Sequence, residues 1–236
     1  WLNPADPGVI NWLISIVNEL KEMGFHGLDF SFGSYKERDA LLSPEYAQKV
    51  LAKKEAMDRA GLKLSQVHIT YRSSGNLPED GGNYEDYEAY LLPVYQQQLR
   101  QTMELGCHVA VFHPYYELGR EENTRRGNLL LFEKLMPLLE EGQIVLALEN
   151  IYGPKCSHAH HSTAEDLLYY TERFDSPHLG ICLDTGHTNV FGRSLGDDVR
   201  CAGKYLRTLH VHDNDGKQDR HECPFFGVGD WDEFRE

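Results

Sequence analysis

Positive charge is scarce in this chain. Lys and Arg number 23 against 37 Asp and Glu, a formal net charge of −14 at pH 7. A field of that sign repels a phosphate backbone unless a local basic stripe offsets it, and no such stripe stands out, so nucleic acid is an unlikely partner by charge alone. Long apolar runs are lacking too. None approaches the roughly 20 residues needed to cross a bilayer, and the first ten residues, WLNPADPGVI, carry neither the basic region nor the apolar stretch of a signal peptide. The expectation is a soluble, cytoplasmic protein with no membrane partner. Paired cysteines are also missing. Cys107, Cys156, Cys182, Cys201 and Cys223 are odd in number, scattered and without a C-x-x-C pair, which fits reduced packing residues better than a disulfide framework. With no low-complexity segment, Pro-rich linker or composition shift, residues 1–236 are read as a single domain.

Histidine, by contrast, is plentiful. There are twelve, and several end apolar runs; His is the commonest side-chain metal ligand. The runs alternate with helical patterns. Residues 9–23 repeat apolar side chains at helical spacing and stop at Gly24; GLDFSF at 27–32 reads as a strand; Pro44 opens a helix to about Ala60, closed by Gly61; LSQVHIT at 64–70 is the next strand. Helix 86–105 precedes strand 109–113, helix 128–141 precedes 144–150, helix 163–174 precedes 180–184, and a shorter helix near 195–203 leads into 206–212. Near-continuous apolar strands separated by helices predict a parallel sheet buried on both faces, either open and doubly wound or closed as an α/β TIM (β/α)8 barrel. Six strands are legible. A closed eight-stranded barrel would need one more before Trp1 and another after Glu236, so the chain is expected to be incomplete at both ends.

Five successive strands finish in a residue able to bind a metal: His68, His113, Glu149, Asp184 and His210. Parallel strands put their C-terminal ends on one face, so residues some 35 positions apart in sequence can converge there. For any one of them a hydrogen-bonded side chain at the edge of the core is the ordinary explanation. Five in register ask for a shared role. In DTGH, His187 follows Asp184 by three residues and can face the same cavity, and HVHDNDGKQDRH gathers His210, His212, Asp213, Asp215, Asp219 and His221 within twelve residues. Carboxylates and imidazoles of this kind suit Zn2+, Mn2+, Fe2+ or Co2+, with Mg2+ where oxygen ligands dominate. A second histidine-rich stretch, CSHAHHS at 156–162, has no carboxylate in ligand spacing, and His158, His160 and His161 are set aside as surface residues. The aromatic pairs Tyr115–Tyr116 and Phe225–Phe226 suit stacking on a sugar or packing under a loop equally well.

Taken together, ALEN with Glu149, LDTGH with Asp184 and His187, LHVHD with His210, and DRHECPFFGVGDW with Asp219 and His221 resemble the xylose isomerase-like TIM-barrel superfamily over nearly the whole chain. The resemblance implies a metal site at the barrel mouth. In the ketose 3-epimerase branch the ion is held by a Glu, an Asp, a His and a final Glu. The first three map onto Glu149, Asp184 and His210; the last would stand on an eighth strand past Glu236. That branch implies Glu149 and His187 as catalytic residues, with Glu149 moving a proton through an enediolate and His187 contacting substrate. His68, His113, His187 and Arg220 are then the candidate substrate-binding side chains. The endonuclease IV branch implies a larger, three-zinc set, and His68, His113, Glu149, Asp184, His187, His210, Asp219 and His221 occupy matching places. Non-nuclease relatives can carry the same residue types.

Charge separates the two branches. TYRSSGNLPEDGGNYEDYE carries one Arg against five acids, and PYYELGREEN one Arg against three, a poor surface for duplex DNA. Arg72, Lys155, Arg193, Lys217 and Arg220 suffice to orient a sugar hydroxyl, a carboxylate or one phosphate. The expectation is therefore a divalent-metal isomerase or epimerase (Zn2+, Mn2+, Mg2+ or Co2+) acting on a small sugar, sugar phosphate or sugar acid. The alternatives are a zinc-dependent phosphodiesterase of abasic DNA and a non-catalytic sugar-binding barrel. A homo-oligomer is left open.

Overall fold

The structure, a computed structural model, describes residues 15–16, 18–33, 38–71, 84–117, 120–152 and 162–235. Arg72, Lys155, Cys156, His158, His160, His161 and positions 9–14 and 17 of the helix expected over 9–23 lie outside those residues; positions 15–16 and 18–22 are helical.

Six parallel strands follow one another in chain order: β1 (Gly27–Ser31), β2 (Lys63–His68), β3 (Val109–Phe112), β4 (Val145–Glu149), β5 (Leu179–Asp184) and β6 (Leu206–His210). Between them run α1 (Arg38–Leu41), α2 (Pro44–Ala60), α3 (Tyr84–Glu104), α4 (Glu121–Gly142), α5 (Ala164–Phe174), α6 (Thr185–Val190) and α7 (Leu195–Ala202). A 3-10 turn (Gly203–Tyr205) enters β6, and α8 (Trp231–Arg235) ends the described chain. This is the TIM-barrel pattern, present as a six-stranded arc with β1 and β6 as its edges among the described residues.

Local chemistry accounts for the helix boundaries. In α2, Ser43 Oγ accepts the Tyr46 N–H at the N-terminus, Pro44 occupies the first turn, and Gly61 at φ 66° closes the helix in a left-handed conformation that costs glycine little. In α5, Thr163 and Asp166 form a reciprocal capping box. Helix α4 begins seven residues earlier than the expected 128. Its first turn holds Glu121 and Glu122, favourable near a helix N-terminus, and Thr124 Oγ1 and Asn128 Oδ1 accept the Glu117 and Tyr115 N–H groups of the entering loop.

Strand side chains alternate between two environments. Leu146 and Leu148 face the helices and join one large core with Leu131, Leu135, Leu139 and Leu167, all fully buried; burying each such leucine is worth about 1.5–3 kcal/mol relative to exposure. Ala147 points the other way and packs with Val111 and Cys182 inside the arc. Curvature is visible in that interior. Thr208 on β6 donates a hydrogen bond to Gln66 on β2, which in turn donates to Asp29 on β1 at 2.8 Å, although β2 and β6 are four places apart in the sheet. The sheet must bend strongly for those side chains to meet. The same alternation, continued upward by two residues, brings the last residue of each strand to the rim.

Candidate metal centre at the strand ends

Glu149 is the hub of the rim. It is 2% exposed and ends β4. Its Oε2 lies 3.1 Å from His68 Nε2 and 3.0 Å from His113 Nε2, while its Oε1 lies 3.0 Å from His210 Nδ1 and 3.8 Å from His187 Nδ1. Asp184 ends β5 beside it, with Oδ2 3.0 Å from His212 Nε2 and 3.6 Å from His210 Nδ1. Asp219 and His221 come from the loop after β6; Asp219 Oδ2 is 3.4 Å from His187 Nε2 and 3.1 Å from His221 Nε2. The strand-end residues expected to converge therefore do so, and the loop pair joins them. Three donor groups result: His68–His113–Glu149, Glu149–Asp184–His210, and His212–Asp219–His221, each with ligand atoms within 4.8 Å of one another.

Burial alone would push both acids towards protonation. For Glu149 the imidazoles of His113, His210 and His68 outweigh burial and hold the carboxyl well below the usual range; for Asp184 those of His210 and His212 do the same. Burial pulls His187 down, but Asp219, Asp184 and Glu149 together lift it to about 9. Burial dominates at His113, whose imidazole is held below its ordinary value. Ionised carboxylates facing imidazole nitrogens are the donor set a divalent cation requires.

The hydrogen bonds test that fit more sharply. His68 Nδ1 lies 2.8 Å from the Ile69 carbonyl, to which only an N–H can donate, and His187 Nδ1 is bonded in the same way to the Asn150 carbonyl at 2.6 Å. The other nitrogen of each ring faces a carboxylate, Glu149 and Asp219 respectively, across a gap that a ring proton or a metal ion fills. A ligating imidazole held by a carbonyl on its other nitrogen is the usual arrangement around a metal. The residues fit the ion.

Over residues 17–236 the sequence matches the family described as xylose isomerase-like TIM barrel. The chain belongs to that family. Within the xylose isomerase-like family, it is 37% identical over 241 aligned positions to the uncharacterized protein y4fM of Sinorhizobium fredii, covering 90% of this chain and 72% of that protein. It is 31% identical over 126 residues to the uncharacterized protein MJ1311 of Methanocaldococcus jannaschii, 51% of this chain and 42% of that protein. It is also 25% identical over 138 residues to a probable endonuclease 4 of Mesomycoplasma hyopneumoniae, 53% of this chain and 49% of that protein. The matches thus span less than half the length of two of these relatives. Among solved structures, a D-tagatose 3-epimerase-like protein superimposes with a TM-score of 0.71 at 22% identity, over 88% of this chain and 75% of that one. At that identity the likeness is one of fold.

Sequence reasoning left out two members of this xylose isomerase-like rim. Asn150, fully buried, takes the Asp184 N–H on its Oδ1 at 2.7 Å and donates through Nδ2 to the Asp184 carbonyl at 3.1 Å and to Thr188 Oγ1 at 3.2 Å. His212, noted in the loop but not placed in the site, sits between Asp184 and Asp219. Arg220, a candidate substrate ligand, pairs with Asp215 at 3.0 Å and Glu222 at 3.8 Å. Tyr115 is decided for packing: 1% exposed, its ring lies 4.6 Å from that of Tyr87 with the planes tilted by 55°. Phe225 and Phe226 are exposed beside the rim.

The loop after β6 is shaped by Asp213. Its carboxylate accepts the N–H groups of Asn214, Gly227 and Gly229 and the Trp231 indole N–H at 2.7–3.1 Å. Its backbone pairs with Glu222 in an antiparallel bridge. That fold-back returns Asp219 and His221 to the strand ends.

Proposed function

We propose that this chain is a divalent-metal-dependent isomerase or epimerase of a small polyhydroxylated carbonyl compound: a sugar, sugar phosphate or sugar acid. The observation that carries the reading is the compact group of Glu149, Asp184 and His210 at the ends of three neighbouring strands. These three side chains would hold the ion. When bound there, a divalent ion supplies Lewis-acid stabilisation of negative charge developing on adjacent carbonyl and hydroxyl oxygens.

The chain's own residues do the rest. Glu149 takes or returns the proton on one face of the carbon next to the carbonyl, through the enediolate. Inversion at that carbon needs a second acid–base group on the opposite face, the place of the final Glu that the ketose 3-epimerase branch implies. His187, turned towards the cavity by its bond to the Asn150 carbonyl, binds a substrate hydroxyl. His68 and His113 stand on the opposite side of Glu149 and orient the polyol. Strands and a helix carry Glu149, His68 and His187, and His113 follows directly on β3, which suits a reaction that depends on placement. The sugar epimerase fold of the tagatose 3-epimerase-like neighbour supports the reading.

The contiguity of all three donor groups favours a second reading, a phosphodiesterase of the endonuclease IV kind, and the resemblance to a probable endonuclease 4 points the same way. Charge weighs against it. The described arginines in the loops after the strands are already matched to acids: Arg120 to Glu117, Arg193 to Asp198, and Arg220 to Asp215. They are poorly placed to neutralise a run of phosphates.

The test is a panel of ketoses, aldoses and inososes incubated in D2O with the metal-loaded protein and followed by proton NMR. Loss of a carbon-bound proton next to a carbonyl supports the isomerase reading. Nicking of an abasic duplex with no sugar turned over replaces it with the second.

A further inference from the structure

Asp198, on α7, is a fully buried acid that belongs to none of the three donor groups. A carboxylate sealed from water is costly unless a counter-charge and hydrogen bonds compensate it. Arg193, one of the cations the sequence offered to a substrate, supplies both: its Nε and Nη2 donate to Asp198 Oδ1 at 3.0 Å and 2.8 Å. On the other side of the carboxylate, Oδ2 accepts the Thr188 hydroxyl at 3.2 Å. The line runs on from Thr188 Oγ1, which lies 3.2 Å from Asn150 Nδ2.

The direction of every bond in this line is forced. The Asp184 backbone N–H can only donate, so the Asn150 side-chain oxygen meets it, and Nδ2 is turned to the Asp184 carbonyl and to Thr188. Thr188 accepts that N–H and has one proton of its own left to give, which needs an acceptor beside it. The carboxylate of Asp198 is that acceptor. Asn150 and Thr188 are fully buried like Asp198, so water does not compete for any of these links.

We propose that Asp198 is a positioning residue for the rim: with Arg193 it anchors Thr188, Thr188 orients the side-chain amide of Asn150, and that amide sets the end of β5 where Asp184 stands. His187 precedes Thr188 on α6 and shares the anchor through its backbone. What Asp184 does once it is placed rests on the reading of Glu149, Asp184 and His210 as a metal site; the anchoring does not. A role confined to tying α7 to α6 would lower stability without singling out one strand end.

The experiment uses the full, metal-stripped chain, shown to be folded by circular dichroism. Hydrogen–deuterium exchange followed by NMR compares the amide of Asp184 with that of Ile181, a ladder residue of the same strand. The proteins are wild type, Thr188→Val, Asp198→Ala, Asp198→Asn and Ser194→Ala, the last removing the cap of α7 while leaving the line intact. Relative to Ile181, Asp184 should exchange about tenfold faster in Thr188→Val and Asp198→Ala, on the scale of one lost hydrogen bond. The gain should be smaller in Asp198→Asn, which keeps an acceptor for Thr188, and absent in Ser194→Ala. Calorimetric Zn2+ titration of the same proteins and of Glu149→Gln reads the consequence. Thr188→Val and Asp198→Ala should each weaken zinc by about tenfold, the lower end for partners behind a ligand. The double variant should weaken it no further, because both changes cut one line.

If Asp184 and Ile181 quicken together in Thr188→Val and Asp198→Ala, the contact is only structural and the proposal is overturned. If Asp184 quickens alone but zinc binds as in wild type, while Glu149→Gln abolishes binding, the anchor does not reach the ion and that half is overturned. If Asp184 quickens alone and Glu149→Gln binds zinc like wild type, the metal reading fails and the anchoring of Asp184 stands.

Discussion

Asn150 grips Asp184 from both sides of the peptide, accepting its N–H at 2.7 Å and donating to its carbonyl at 3.1 Å. The end of β4 is thereby fastened to the end of β5, and through His187 Nδ1 on the Asn150 carbonyl, to the start of α6 as well. The side-chain amide holds Asp184, and the backbone carbonyl of the same residue holds His187.

Replacing Asn150 by Ala should therefore harm both stability and the site. Each buried backbone group left without a partner costs about 1–3 kcal/mol, and two are exposed to that loss. Urea unfolding should show a destabilisation of about 2–6 kcal/mol at unchanged slope, on that same per-group figure. A variant as stable as wild type would show that the amide is incidental.

Asp213 gives a pH-dependent prediction. Burial would raise its carboxyl, but the Trp231 indole and the three backbone N–H groups outweigh it and hold the acid below its ordinary value. A carboxyl depressed in the folded state adds stability above its unfolded pKa of about 3.9, and that increment disappears as pH falls through the lower folded value. Wild type should thus be more stable than Asp213→Asn at neutral pH, with the gap narrowing only below about pH 4. Thermal melts of both proteins from pH 3 to pH 8 check the sign; a gap that widens on acidification would contradict it.

Gly186→Ala forces a contact that cannot be relieved at the far end of a flexible chain, because the atom it meets belongs to a packed imidazole ring. Overpacking of this kind costs about 1–3 kcal/mol. The variant should fold with a lowered melting temperature, read by circular dichroism. A melting temperature equal to that of wild type would place the His212 ring elsewhere.

Metal itself should stabilise the fold. A cation that binds only the native state at 100 times its Kd adds about 2.7 kcal/mol, which for a chain of this size is a rise of roughly 5–11 °C in Tm. Melts of stripped protein with and without Zn2+ or Mn2+ test this, and equal melting temperatures would count against a metal site.

Much of this architecture was legible in the sequence, and the reasons are physical. Strands and helices announced themselves because each has its own apolar period, and Pro44, Gly61 and Thr163 mark ends by chemistry that acts within a turn. The rim was legible because parallel strands must end on one face. What escaped were relationships between segments far apart. Asn150 carries an ordinary polar side chain whose importance lies in partners 34 and 38 residues away. His212 falls two residues after a strand end, and its place between Asp184 and Asp219 depends on the fold-back organised by Asp213. The start of α4 was missed because residues 121–127, EENTRRG, lack an apolar repeat; their helix is held by acids in the first turn and by polar contacts to the preceding loop. A composite signal, Asn directly after a strand-end Glu and His two residues after a strand-end His, would have flagged both missed site residues.

The central claim is that Glu149 moves a proton on carbon. The most direct measurement is proton NMR of a turned-over sugar in D2O, comparing wild-type and Glu149→Gln proteins, each loaded with Zn2+ and shown by circular dichroism to be folded. The account predicts that wild type exchanges the proton next to the carbonyl for deuterium and that Glu149→Gln loses at least the 10²–10⁴-fold typical of a missing general base. Deuterium incorporation by Glu149→Gln at the wild-type rate would contradict it.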